Sequence, residues 1–369
     1  MINVMAMIHM GKGNPNTSCA DAAMAPRSAP IFTAVVCMPN TSPPLDRPDL
    51  LRDIIETGRR ADARVYPVAC ITTGRNGEEL ADLAALRDAG AVAFSDDGSP
   101  LESECLMRRA LEESARLGCP IAPHEEIRAL TSGGHMHEGE VSRALGTRGM
   151  PSEGEAGMIE RDLRLLEEVG GGLHVLHVSV GRSVQLIREA KRRGLPVTSE
   201  ACPHHFVLTD QAVRDRGTQA KMSPPLRTDQ DVRAVRSGLA DGTIDVIATD
   251  HAPHATDEKA LPFDRAPFGI VGLETAVGLT MTHLVETGVL SLRDVISRLT
   301  HVPAGIFGLP GGSLRVGDPA DITIIDPDLE WTVEPSRFRS RSRNTPFGGW
   351  RLKGKAVLTL LEGRVTYQE

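Results

Sequence analysis

Four side chains that could hold a cation or move a proton, Asp97, His124, His177 and Asp250, each stand at the end of a different apolar run. The sharpest case is Ile244 to His254, where Val246-Ile247-Ala248 reads as a buried parallel strand that stops at Thr249-Asp250-His251. In the same way Ala91-Val92-Ala93-Phe94 runs into Ser95-Asp96-Asp97-Gly98, Pro120-Ile121-Ala122-Pro123 into His124-Glu125, and Leu173 to Leu176 into His177. A single Asp in such a place is readily a helix cap, and a single His a hydrogen-bonded core residue. Their coincidence at four strand ends favours a site instead. Imidazole and carboxylate are borderline ligands that suit zinc, and a carboxylate can bridge two ions with its two oxygens. A pair of ions would activate a shared water and polarise a carbonyl, a standard means of hydrolysing an unactivated amide. A nearby carboxylate then takes and returns the proton, and Asp250 suits that role.

The elements that must carry these residues alternate strand and helix. Strand midpoints fall near Val36, Val68, Ala93, Ile121, Val175, Val197 and Ile247, with amphipathic stretches at Leu50 to Ile55, Leu80 to Leu86, Leu106 to Leu117, Met158 to Val169 and Val184 to Arg193. Arg128 to Pro151 reads as a long Gly-rich connection. Parallel strands with helical crossovers predict an α/β protein with a (β/α)₈ TIM-type barrel, whose active site lies at the C-terminal ends of the strands. The rival, a doubly wound open sheet, lacks a G-x-G-x-x-G after any strand. The first barrel strand rests on Asn3 to Ile8 alone. Residues 1–31 form an atypical segment in which Gly11 to Pro30 has no apolar periodicity, residues 32–305 form the barrel, and residues 306–369 read as a small β appendage.

The 369 residues and 40% hydrophobic content allow a sizeable core. A formal charge of −8 without a Lys/Arg block argues against a nucleic-acid partner. Neither a transmembrane run nor a basic-then-apolar leader is present in the sequence, so a cytoplasmic protein is expected. The six cysteines include no C-x-x-C pair and read as reduced core residues.

Taken in order, FTAVVCMPNTSPPLD, AFSDDGSP, HVLHVS, KMSPPLR, ATDHAPH and GIVGLETA resemble the class I bacterial dihydroorotases of the amidohydrolase superfamily, from residue 31 onward. The resemblance implies that Asp97 bridges two zinc ions, where related hydantoinases use a carboxylated lysine. It implies that His124 and His177 bind the second ion, and that Asp250 ligates the first and shuttles the proton. It places Asn40, Ser223, His254 and the backbone at Phe268-Gly269 around dihydroorotate. The implied reaction is the reversible closure of N-carbamoyl-L-aspartate to dihydroorotate in pyrimidine synthesis.

The chain departs from that pattern. The H-x-H-x-R that supplies two ligands of the first zinc in the family is missing, with only His9 near its place, so two ions are expected from the family and one if that site is incomplete. Gly11 to Pro30 is read as either a native atypical start or a shifted reading frame. Ser223 replaces an Asn and Glu125 a Cys of the family pattern. His135-Met136-His137, the sole H-x-H, is read as a loop rather than a ligand pair, and His204, His205 and His251 as supporting residues. Two other functions stay open: an impaired dihydroorotase-like subunit that scaffolds aspartate transcarbamoylase, and a hydantoinase- or dihydropyrimidinase-like hydrolase. A protein partner would be aspartate transcarbamoylase or a second copy of the chain.

Overall fold

Short apolar runs pair in parallel, each with its neighbour in the sequence. The computed structural model describes residues 5–8 and 31–369. Strand β1 (Met5–Ile8) pairs with β2 (Ala34–Cys37), from Met5 opposite Ala34 to Ile8 opposite Cys37, and β2 pairs with β3 (Arg64–Pro67). The ladder then runs through single parallel bridges, Ala69 with Phe94, Phe94 with Ile121 and Ile121 with Leu173. In the 128–151 connection, β4 (Met136–His137) and β5 (Gly149–Met150) form a separate parallel pair. The main ladder resumes with β6 (Leu173–Val175), β7 (Val197–Ala201) and β8 (Val246–Ile247). All the expected strand positions are therefore occupied, Met5–Ile8 included, although those at Phe94 and Ile121 are one bridge long. His9 and Gly11 to Pro30 lie outside the described residues.

Alternation along β2 explains why both faces are buried. Val35 and Cys37 join the large core beneath the helices, whereas Ala34, Val36 and Met38 join a second cluster with Val68, Ala93, Ala122, Leu176 and Ala248. The helices follow the apolar spacing. Pro48–Gly58 buries Leu51 and Ile54, and Glu104–Leu117 buries Leu106, Met107, Ala110 and Leu111. The latter starts at Ser103, whose hydroxyl accepts from the Leu106 amide at 3.3 Å, and stops at Gly118, held at φ 60° where glycine alone is unstrained. The helix Asp229–Asp241 was not foreseen. Its signal was present: Thr228 and Asp231 form a capping box, and Val232, Val235 and Leu239 recur on the buried face.

The 128–151 connection is more ordered than a Gly-rich loop, with short helices Arg128–Thr131 and Glu140–Ala144 flanking β4. Buried Arg227 gathers it onto the sheet: its Nη1 donates to the Met150 carbonyl at 3.0 Å and lies 3.3 Å from His137 Nδ1, and its Nε donates to Ser179 Oγ at 3.0 Å. His137 is thus an acceptor for a guanidinium. Burial and the Arg227 charge lower it to about 4, which keeps it neutral.

The C-terminal strands β9 (Ile322–Thr332), β10 (Arg351–Leu361) and β11 (Arg364–Gln368) form an antiparallel sheet with β10 central. Arg64 of β3 fastens this sheet: its Nε reaches Asp321 Oδ2 at 2.6 Å and its Nη2 reaches Glu362 at 2.9 Å, while Asp321 Oδ1 accepts the Glu362 amide at 2.8 Å. Asp321 is buried, so removing its carboxylate strands a charged donor and a backbone N–H together. We expect Asp321→Ala to lower the unfolding free energy by about 1–3 kcal/mol, read as a lower urea midpoint with an unchanged slope.

Candidate metal centre

Three of the four strand-end residues converge. Asp97 follows the Phe94 bridge, His124 follows Ile121 and His177 follows β6, so that three adjacent segments deliver one side chain each to the same end of the sheet. His124 Nδ1 and His177 Nε2 lie 3.2 Å apart, and Asp97 Oδ1 lies 3.5 Å from the first and 3.6 Å from the second. A tetrahedral cation with bonds of about 2.1 Å has ligand atoms about 3.4 Å apart, so one ion fits this triangle without rearrangement. Glu126 Oε2 stands 3.3 Å from His124 Nε2. With the proton on Nε2 toward Glu126, Nδ1 would offer its lone pair to a cation, the arrangement by which a carboxylate orients a metal-binding imidazole. Glu126 escaped sequence reading, although its position two residues after His124 was the available signal.

The carboxylate of Asp97 is held from several sides. Asn40 Nδ2 donates to its Oδ2 at 2.9 Å, the Asp97 amide donates to Ser95 Oγ at 2.9 Å, and Arg75 donates to its carbonyl. Asn40 therefore contributes an amide proton to the carboxylate itself. At His177, Glu200 Oε1 accepts the backbone amide at 3.4 Å, while Glu200 Oε2 lies 3.2 Å from His174 Nε2.

Asp250 follows β8, is buried, and stands outside the Asp97–His124–His177 triangle. It has φ 42° and His177 has φ 32°. Neither residue is a glycine, and such conformations persist only where the surroundings over-determine them. His251 behind it is structural: its Nδ1 accepts the amides of Gly272 at 3.2 Å and Leu273 at 3.3 Å, and burial lowers it to about 3.

A second buried group, Cys202, His204 and His205, also brings potential ligand atoms together. Burial, reinforced by the charges of Asp250, Glu200 and Asp97, holds the Cys202 thiol protonated. His205 Nε2 donates to the Pro224 carbonyl at 3.0 Å, which fixes the cis Ser223–Pro224 peptide against the end of β7. Glu125 is buried against Asp162, and burial, added to that neighbouring charge, raises it well above the usual carboxylate range.

His254 Nε2 donates to the Phe268 carbonyl at 2.8 Å, which brings the expected substrate residues His254, Phe268 and Gly269 together. Two buried lysines from separate segments, which sequence reading did not single out, pack against this turn. Lys221 Nζ donates to the carbonyls of Phe263 at 2.5 Å and Ala266 at 2.7 Å, and Lys259 Nζ to those of Pro267 at 3.0 Å and Gly269 at 3.1 Å. Burial lowers Lys221 to about 8 and Lys259 to about 7. Asn344 joins them: its Nδ2 donates to Ala252 O at 2.9 Å and Gly269 O at 3.0 Å, and its Oδ1 accepts the His254 amide at 3.1 Å.

If the triangle holds a cation, Glu126 must matter to its affinity. Glu126→Gln is expected to weaken metal binding by about 10–100-fold, measured by competition with a chromophoric chelator, with the thermal transition of the metal-free protein unchanged.

Comparison with known proteins gives the family and the fold. A family described as "Dihydro-orotase-like" matches residues 15–183, and an "Amidohydrolase family" description matches residues 185–367. A dihydroorotase of Pelotomaculum thermopropionicum is 53% identical over 338 residues, spanning 92% of this chain and 79% of that protein. One from Syntrophotalea carbinolica is 52% identical, spanning 91% and 79%. Among solved structures, the L-hydantoinase of Arthrobacter aurescens superposes with a TM-score of 0.87 at 26% identity, covering all of this chain and 85% of its own. The dihydropyrimidinase of Brevibacillus agri, at 20% identity and TM-score 0.85 over 100% of this chain and 84% of its own, shares the fold. The converging strand ends thus lie within a parallel β/α hydrolase fold, and the chain belongs to the dihydroorotase family of amidohydrolases.

Proposed function

We propose that the chain interconverts N-carbamoyl-L-aspartate and dihydroorotate, and that Asp97, His124 and His177 would hold its zinc. The observation that carries this reading is the near-tetrahedral spacing of Asp97 Oδ1, His124 Nδ1 and His177 Nε2. A carboxylate beside the two imidazoles, where the resemblance gives hydantoinases a carboxylated lysine, favours dihydroorotase over hydantoinase. Closure of the sheet into a (β/α)₈ barrel is part of the same proposal. It is supported by the one buried cluster that contains both Val36 of β2 and Ala248 just past β8.

Bound zinc would polarise the scissile carbonyl and lower the pKa of water. The chain's own residues do the rest. In the hydrolytic direction, water adds to the ring amide carbonyl, the C–N bond breaks and the ring nitrogen takes a proton. Closure reverses these steps and releases water. Asp250, buried and fixed at its backbone, takes the proton from water and delivers it to the departing nitrogen. Asn40 holds the Asp97 carboxylate in one orientation. His254, Phe268 and Gly269 form the wall against which the anionic ring lies, and Ser223 supplies a hydroxyl nearby.

Zinc-loaded protein should cyclise carbamoyl-aspartate at acid pH and open dihydroorotate at alkaline pH. Asp250→Asn should lower kcat by about 10²–10⁴-fold with the metal at Asp97 retained. Turnover of dihydrouracil or hydantoin without dihydroorotate would instead assign a hydantoinase. Metal binding without any turnover would support a scaffolding subunit.

A further inference from the structure

We infer that Lys259 and Asn344 are positioning residues for substrate, converging on the carbonyl of Gly269 to hold His254 and the Phe268–Gly269 turn in one register. The inference rests on the dihydroorotase reading of the wall formed by those three residues.

The Gly269 carbonyl accepts from Lys259 Nζ at 3.1 Å and from Asn344 Nδ2 at 3.0 Å, so its two lone pairs are both engaged. Each donor is buried and each also reaches a second point. Lys259 continues to the Pro267 carbonyl, and Asn344 continues to Ala252 O while accepting the His254 amide. His254 closes the circuit on the Phe268 carbonyl. The Gly269 backbone needs this fixing: its φ is 151°, and a Cβ there would lie 2.7 Å from Ala252 O and from the His254 ring, so the turn and the imidazole are packed without slack. Lys221 braces the same segment further back, on the Phe263 and Ala266 carbonyls, while its own carbonyl accepts the Gly269 amide at 2.9 Å.

Asn344 comes from the segment between β9 and β10, some ninety residues beyond His254 in the chain. The C-terminal segment is therefore built into the substrate wall. Loss of Lys259 removes a donor from the Pro267 carbonyl and loss of Asn344 one from the Ala252 carbonyl, each also halving the hold on Gly269. A buried acceptor without its donor costs more than the bond contributes, so the turn would move to find water or another donor. Displacement of the turn carries His254 with it and alters the wall that the ring meets. The triangle at Asp97 shares none of these contacts.

The test uses full-length zinc protein in three forms: Lys259→Met, Asn344→Asp, which replaces the amide donor at constant volume, and the double variant. Each single variant should raise KM for dihydroorotate at least tenfold while lowering kcat by a smaller factor, with metal content unchanged. The two effects should not add in the double variant, because both side chains hold one carbonyl and only their joint loss leaves it without a donor. Hydrogen exchange should quicken over 262–270 and stay unchanged over β2 and β7. A KM within twofold of wild type in Asn344→Asp, or fully additive effects, would overturn the inference. Unchanged exchange over 262–270 would overturn it independently of any assay. A wild-type protein that neither binds nor turns over dihydroorotate would overturn the functional reading instead, and exchange alone would then decide whether the two residues brace the turn.

Discussion

Three ligand atoms from three neighbouring strand ends, spaced like the edges of one tetrahedron, are the constraint on which the rest of the molecule depends. Two imidazole nitrogens 3.2 Å apart beside a buried carboxylate have to share a proton or a cation. The surrounding residues keep them together. Ser95 and Asn40 fix Asp97, Glu126 turns His124, and Glu200 takes the His177 amide. Each bond is ordinary in strength, and their sum is a site organised before any ion arrives.

Of the four non-glycine residues with positive φ among the described residues, two stand at these strand ends. His177 and Asp250 both occupy the left-handed region, directly after β6 and β8. For β-carbon-bearing residues this costs on the order of 1–3 kcal/mol each. The cost is offset by burial of the strands behind them, where Val175 and Ile247 are fully enclosed in the main core. The sheet thus supplies the rigidity that the sharp turns at its end consume, and the side chains point across the sheet end instead of continuing its pleat.

Much of this was legible in the sequence because parallel strands buried on both faces leave uninterrupted apolar runs, and a polar residue at the end of each run is conspicuous. Asp97, His124, His177 and Asp250 were found in that way. Asn40, His254, Phe268 and Gly269 came from motif resemblance, and the contacts gave two of them more specific duties: Asn40 donates to Asp97, and His254 to the Phe268 carbonyl. What the sequence hid is long-range pairing. Lys221, Lys259 and Asn344 look like ordinary polar residues until folding brings five backbone carbonyls to them. The Asp229–Asp241 helix was hidden by its charged outer face although its capping box was present. His135-Met136-His137 shows the opposite case, a ligand-like spacing that an arginine occupies.

The most direct test of the account is zinc X-ray absorption on the metal-loaded protein, because the two buried clusters differ in one element. An ion at Asp97, His124 and His177 has only nitrogen and oxygen neighbours at about 2.0–2.2 Å, with imidazole outer-shell scattering. That is the predicted spectrum, and it should vanish in Asp97→Ala. A sulfur neighbour at about 2.3 Å that survives Asp97→Ala would place the ion at Cys202, His204 and His205 and contradict the account.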